Sequence, residues 1–149
     1  MRAAPRSPWF SAAGDNPYVT HHRHPVSADG APEAIGAYSH AVISNGLVFC
    51  SGQIALDPGT GELIEGGAGD QTRRCLNNLT AVCSAAGATL ADAVRMTVYA
   101  TDLAGDWAEI NEAYASYFGD GPPARVAIGV AALPKGGRVE IDAVVALPD

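Results

Sequence analysis

The order of patterned segments along these 149 residues predicts an α+β fold, a two-layer sandwich of one sheet with both helices on one face. Three observations carry the prediction. Runs with period-two alternation interleave with two runs of 3-and-4 spacing, giving β-β-α-β-α-β-β. From residue 36 onward, Gly, Pro and Asn punctuate the chain at regular intervals. Right-handed crossovers between the strands then place both helices on the same side. The length fits one domain, and residues 1–24 read as an N-terminal arm preceding a domain of residues 25–149.

The arm is rich in proline and shows no periodicity. Trp9 and Phe10 would gain by packing on the body or on a neighbouring subunit. Its histidines, His21, His22 and His24, sit in an irregular segment, and no metal is expected there. "HAVISNGLVFCSG" is a pair of β-rich runs about Asn45-Gly46, the residues of a type I′ hairpin, and "LDPGTGEL" is a turn-like loop. In "GDQTRRCLNNLTAVCSAAGATL" the apolar residues Cys75, Leu76, Leu79, Val82, Cys83 and Ala86 line one helical face, with Asp70 to cap the start and Gly87 to end it. "DAVRMTVYATDL" is a strand with Val94, Met96, Val98 and Ala100 on one side. The second helix carries Trp107, Ile110, Tyr114, Tyr117 and Phe118, read as a core stripe. Asp102 or Asp106 would cap it, and Gly119 would end it. The last two strands, "ARVAIGVAAL" and "RVEIDAVVAL", flank a PKGG turn. They are apolar on both sides towards their ends, so a two-layer protomer leaves an apolar sheet face that calls for self-association.

Composition excludes some classes. The net charge of −7 disfavours nucleic acid, whose binding rests on Lys and Arg, and a stretch long enough to span a membrane is lacking. The N-terminus has no apolar segment of the secretory kind, and the three cysteines show no CxxC spacing, so a reduced, cytoplasmic protein is expected. None of the common phosphate-binding, zinc-hydrolase or nucleophile-elbow motifs occurs.

Two residues stand out. Arg125 follows two prolines at the mouth of an apolar strand in a chain with only nine Lys and Arg, and such a fixed guanidinium suits a carboxylate. Glu140 alternates with Val139 and Ile141 in the last strand. If the last two strands form a hairpin about PKGG, Glu140 faces Ala131 and lies roughly 20 Å from Arg125 within one chain. His40, alone in the body, reads as a surface histidine. The residues by themselves leave both charged groups open between solvated strand positions and a carboxylate-binding site at an interface.

Taken together, "APEAIGAYSHAV", "GLVFCSGQIALDPGTGEL", "QTRRCLNNLTAVCSAAG", "NEAYASYF", "PPARVAIGVAALPKG" and "VEIDAVVAL" resemble, in order and spacing, the YjgF family of RidA-type reactive-intermediate deaminases. The resemblance covers about Pro25 to Leu147. It implies a chorismate-mutase-like fold, a homotrimer whose sheets form an inner barrel, and active sites between subunits. It also implies hydrolysis of 2-imino acids to 2-keto acids and ammonia without a cofactor. On this sequence Arg125 matches the carboxylate-binding position, Glu140 the group that holds the attacking water, and Tyr38 a pocket-lining tyrosine. Ser51 and Gly52 match the turn beside the substrate, Asn111 an asparagine opening the second helix, and Ala127 a backbone N–H donor.

The chain departs from the family pattern next to the arginine. Val126 replaces a hydroxyl residue, Ala127 a frequent cysteine, Gly129 a glutamate and Ala132 a common arginine. These departures bear on substrate preference and keep an alternative in view, a non-catalytic trimer that binds small keto acids. An RNA-cleaving activity, attributed to some relatives, fits poorly with the acidic charge.

Overall fold

A computed structural model describes residues 23–149, in which the elements run β1 (His24–Val26), β2 (Ala41–Ser44), β3 (Leu47–Ile54), α1 (Ala68–Ala85), β4 (Ala93–Ala100), α2 (Leu103–Ala115), β5 (Ala124–Gly129) and β6 (Val139–Ala146). His21, His22, Trp9 and Phe10 lie outside the described residues. The class and layering are those predicted, with β1 as an added short strand. One mixed sheet has the order β1-β2-β3-β6-β4-β5, in which only β4 and β5 run parallel.

Local chemistry sets most boundaries. Asn45 and Gly46 have φ of 51° and 74°, as a type I′ turn demands, and close β2 on β3 with Ser44 opposite Leu47. The start of α1 is capped by Gly67, whose N–H donates to Asp70 Oδ2, so Asp70 acts from the third helical position and not as the cap residue itself. At its end, Gly87 takes φ 77° and the Ala88 and Gly87 N–H groups return to the Cys83 and Ser84 carbonyls, a Schellman closure. Asp102 caps α2 by accepting from the Gly105 N–H. Asp106, the other candidate cap, is buried instead and holds Arg138 through both carboxylate oxygens.

The predicted hairpin of the last two strands does not form. The crossover from β4 through α2 returns β5 parallel to β4 on the outer edge, and β6 inserts antiparallel between β3 and β4. Burial explains the choice. Val139, Ile141, Ala143 and Val145 are almost wholly buried beneath the helices, which requires a central strand, whereas β5 is half-exposed throughout. Glu140 therefore lies opposite Tyr99 and not Ala131. Val94 is another correction. The β4–β6 register slips between Ala93 and Arg95, and Val94 is exposed while Met96, Val98 and Ala100 are buried as expected.

Both helices pack on one face, so alternation sends Glu140, Asp142 and Val144 of β6, Thr97 and Tyr99 of β4, and Val126 and Ile128 of β5 to the other. Phe49, Val126 and Ile128 stand exposed on that open face in the protomer. Among the described residues no helix is long and apolar enough to cross a membrane.

Candidate active site

Arg125 is the second residue of β5, and Pro122 and Pro123 fix the backbone that leads to it. Its side chain turns under α2, where residues 107, 111 and 114 form one stripe at i, i+4 and i+7. Arg125 Nη1 donates to Asn111 Oδ1 at 3.0 Å, and the guanidinium carbon lies 4.9 Å from the Trp107 ring centre and 4.6 Å from that of Tyr114. These contacts orient the guanidinium without neutralising it. Among the described residues it forms no ion pair. It opens on a cavity of about 380 Å³ whose other walls include Phe118, Pro122 and Pro123. The edge contributes a second donor set. Val130 N–H bonds Ala100 of β4, so alternation turns the Arg125 and Ala127 N–H groups out along the unpaired edge of β5.

Glu140 belongs to a different hollow, of about 270 Å³, lined with Ile35, Tyr38, Ser51, Gly52, Ile54 and Pro134. Its carboxylate lies on the bare backbone of Gly52. A Cβ there would overlap Oε1 and come within 3.0 Å of the carboxyl carbon, so only glycine permits the approach. The turn around it is strapped: Ser51 Oγ donates to Ser39 O at 2.6 Å and Ser51 N–H to His40 O at 2.9 Å. Tyr38 Oη accepts from the Ile35 N–H at 3.3 Å. No donor among the described residues bonds the Glu140 carboxylate. Burial pushes its pKa above the ordinary carboxylate range, and the charge of Asp142 adds to the rise.

His40 is a buried residue and not a surface one. Its Nδ1 accepts from the Ala28 N–H at 3.0 Å, which leaves Nε2 to donate to Pro32 O at 2.8 Å. Both nitrogens are consumed in pinning the loop ahead of Tyr38. The three cysteines are reduced and buried.

The expected site residues thus fall into two groups. Arg125, Asn111 and Ala127 stand together, as do Tyr38, Ser51, Gly52 and Glu140. The groups do not meet within one protomer. Arg125 pairs with Met96 and Glu140 with Tyr99 on the intervening β4, three residues and two strands apart and facing opposite sides. Strand spacings make this roughly 14 Å between backbones. Asn111 lies in the third turn of α2, not at its opening. Val126, the most conspicuous departure, projects from the open face, away from the cavity that Arg125 faces. Trp107 and Tyr114 are the residues that the core reading missed. Ile110 and Tyr114 are indeed buried, yet the rings also hold the arginine. Their spacing from Asn111 was the available signal.

With this geometry in place, comparison with known proteins is decisive. The sequence model of the endoribonuclease L-PSP family matches residues 28–147. The chain belongs to this family, the YjgF/RidA family. The 2-iminobutanoate/2-iminopropanoate deaminase of Rattus norvegicus is 43% identical over 122 residues, 82% of this chain and 88% of the rat protein. A RutC family protein of Pyrococcus horikoshii is 45% identical over 119 residues, 80% of this chain and 94% of its own length. The crystal structure of RidA from an Antarctic Psychrobacter is similar with a TM-score of 0.79 and 43% identity, covering 83% of this chain and 99% of that one. The RidA-family match agrees with the six-stranded mixed sheet and paired helices described above.

Proposed function

We propose that the chain hydrolyses reactive 2-imino acids such as 2-iminobutanoate and 2-iminopropanoate, and their enamine tautomers, to 2-keto acids and ammonia. In this reading it works as a homotrimer whose sites lie between subunits, the Arg125 group of one chain facing the Glu140 group of the next. The observation that carries the proposal is the held, unpaired guanidinium of Arg125 with outward N–H groups beside it, a receptor shaped for a carboxylate. The deaminase name of relatives at 43% identity supplies the substrate class.

The steps balance with water as the only co-reactant. Arg125 takes the substrate carboxylate in a two-pronged grip, and the Ala127 N–H adds to it. Glu140 holds a water over the imine carbon, accepts its proton as the C–O bond forms, and passes that proton to the imine nitrogen. The resulting carbinolamine collapses when Glu140 relays a proton from the new hydroxyl to the amine, the C–N bond breaks, and ammonia leaves. An imine carbon is already electrophilic, so positioning and one well-placed base supply the catalysis. The test is release of ammonia and keto acid from 2-aminoacrylate or 2-aminocrotonate generated in situ. The proposal expects acceleration by wild type and its loss in Arg125→Ala. Equal rates for wild type, the variant and buffer would overturn it, and saturable 2-ketobutyrate binding without turnover would identify a carboxylate-binding protein instead.

A further inference from the structure

The environment of Glu140 holds a pair that the reaction above does not use. On the open face, Tyr99 lies directly opposite Glu140 and Thr97 opposite Asp142. The Tyr99 hydroxyl does not serve Glu140. It donates across to Asp142 Oδ2 at 2.9 Å. Asp142 is therefore pinned on the same face of the same strand as Glu140, two residues and roughly 7 Å along. Burial, together with this bond, raises the Tyr99 pKa, which keeps the phenol protonated as donor. The other groups around Glu140 do not offset Asp142. Tyr38 enters from the loop before β2 and brings no positive charge. Arg95 lies opposite Val144, farther along the face. From α1, across the sheet, the buried Cys75 thiol is held neutral.

We propose that Asp142, anchored by Tyr99, is a positioning residue for Glu140, its charge keeping the neighbouring carboxyl ready to take a proton from water. A carboxylate is a better general base the nearer its pKa stands to the working pH. A negative neighbour that can neither swing away nor bind the carboxyl itself provides this at little structural cost. The pair also explains why the part-buried Tyr99 hydroxyl points past the carboxylate opposite it. A donor on Glu140 would stabilise its charged form and weaken it as a base.

The kinetic part of this inference rests on the deaminase reading, and the titration part does not. In the full-length protein, the Glu140 side-chain carbon is followed by carbon-13 NMR against pH, assigned by its loss in Glu140→Gln. Asp142→Asn keeps the acceptor for Tyr99 and removes only the charge. It should lower the Glu140 midpoint by roughly half a unit to one unit, the size expected for carboxylates this far apart at a partly exposed site. The acidic limb of kcat/KM should move down with it, and Asp142→Glu should restore both. Tyr99→Phe should give a smaller shift in the same direction by releasing Asp142. An unmoved Glu140 midpoint in Asp142→Asn overturns the inference whether or not the protein turns over imines. A moved midpoint with no imine hydrolysis in wild type would instead sink the deaminase reading and leave the pairing intact.

Discussion

The two halves of the candidate site are prepared in opposite ways. Arg125 is made useful by what touches it: two ring faces and an amide oxygen that fix its plane and leave its charge uncompensated. Glu140 is made useful by what does not touch it, since it rests on Gly52 without a donor and beside another carboxylate. Were the two in reach within a protomer, they would pair. The arginine would have its charge compensated, and the carboxylate would fall back towards its ordinary pKa. Separation by two strands leaves each charge uncompensated by the other within the protomer. The cation is set up by contacts and the carboxylate by deprivation, so the two halves should answer differently to mutation.

If the proposed deaminase reaction holds, removing the Glu140 carboxylate should have the largest effect. Glu140→Gln is expected to lower kcat by about 10²–10⁴, the usual span for a general base, in steady-state imine hydrolysis. Its stability should move the other way. With the folded-state pKa raised above the unfolded one, the native state prefers the protonated form. The wild type therefore loses stability as pH rises through the carboxylate range. Glutamine lacks that penalty, so the variant should melt at the same or a higher temperature at pH 7, with the gap closing as pH falls. A clear loss of Tm at neutral pH would show that Glu140 has favourable partners in the native assembly. Arg125→Ala should come next, weakening KM by about 10²–10³ through loss of a charge-assisted pair, with calorimetry of 2-ketobutyrate as the check.

Gly52→Ala tests the glycine contact. The added methyl must displace the Glu140 carboxylate by about an ångström, and misplacement on that scale costs about 10²-fold in kcat while substrate binding at Arg125 persists. A fall in KM-controlled binding with kcat intact would contradict the division into two halves.

Much of this was legible beforehand, and the failures have physical causes. The Asn45-Gly46 turn, the α1 face from Cys75 to Cys83 and the Gly87 stop all follow from local rules that one chain segment can obey by itself. The β5–β6 arrangement was not local. The PKGG turn suggested adjacency, but which strand lies beside β6 depends on the crossover through α2 and on four inward residues that need covering on a central strand. The site had the same weakness. Arg125 and Glu140 could be singled out by residue type, whereas their preparation lies in long-range contacts: an asparagine in mid-helix, the blank surface of Gly52, and a tyrosine bonded past its neighbour. His40 was misread for a related reason, because a histidine with both nitrogens bonded to backbone looks in sequence like any polar residue at a strand edge.

The smallest effect belongs to Tyr114, where ring and hydroxyl can be separated. The ring lies against the Arg125 guanidinium, while the hydroxyl is buried with no hydrogen-bond partner among the described residues. An unmet buried hydroxyl costs about 1–3 kcal/mol, so the residue is kept for its π face in spite of its oxygen. Tyr114→Leu should raise KM several-fold, in line with the roughly 0.5–2 kcal/mol of a cation–π contact. Tyr114→Phe should recover most of that loss and also raise Tm, because it deletes only the unsatisfied group. If Phe lowers Tm and raises KM as much as Leu does, the hydroxyl has a partner in the assembled protein, and the Arg125 half is held by a hydrogen bond across the subunit boundary as well as by rings.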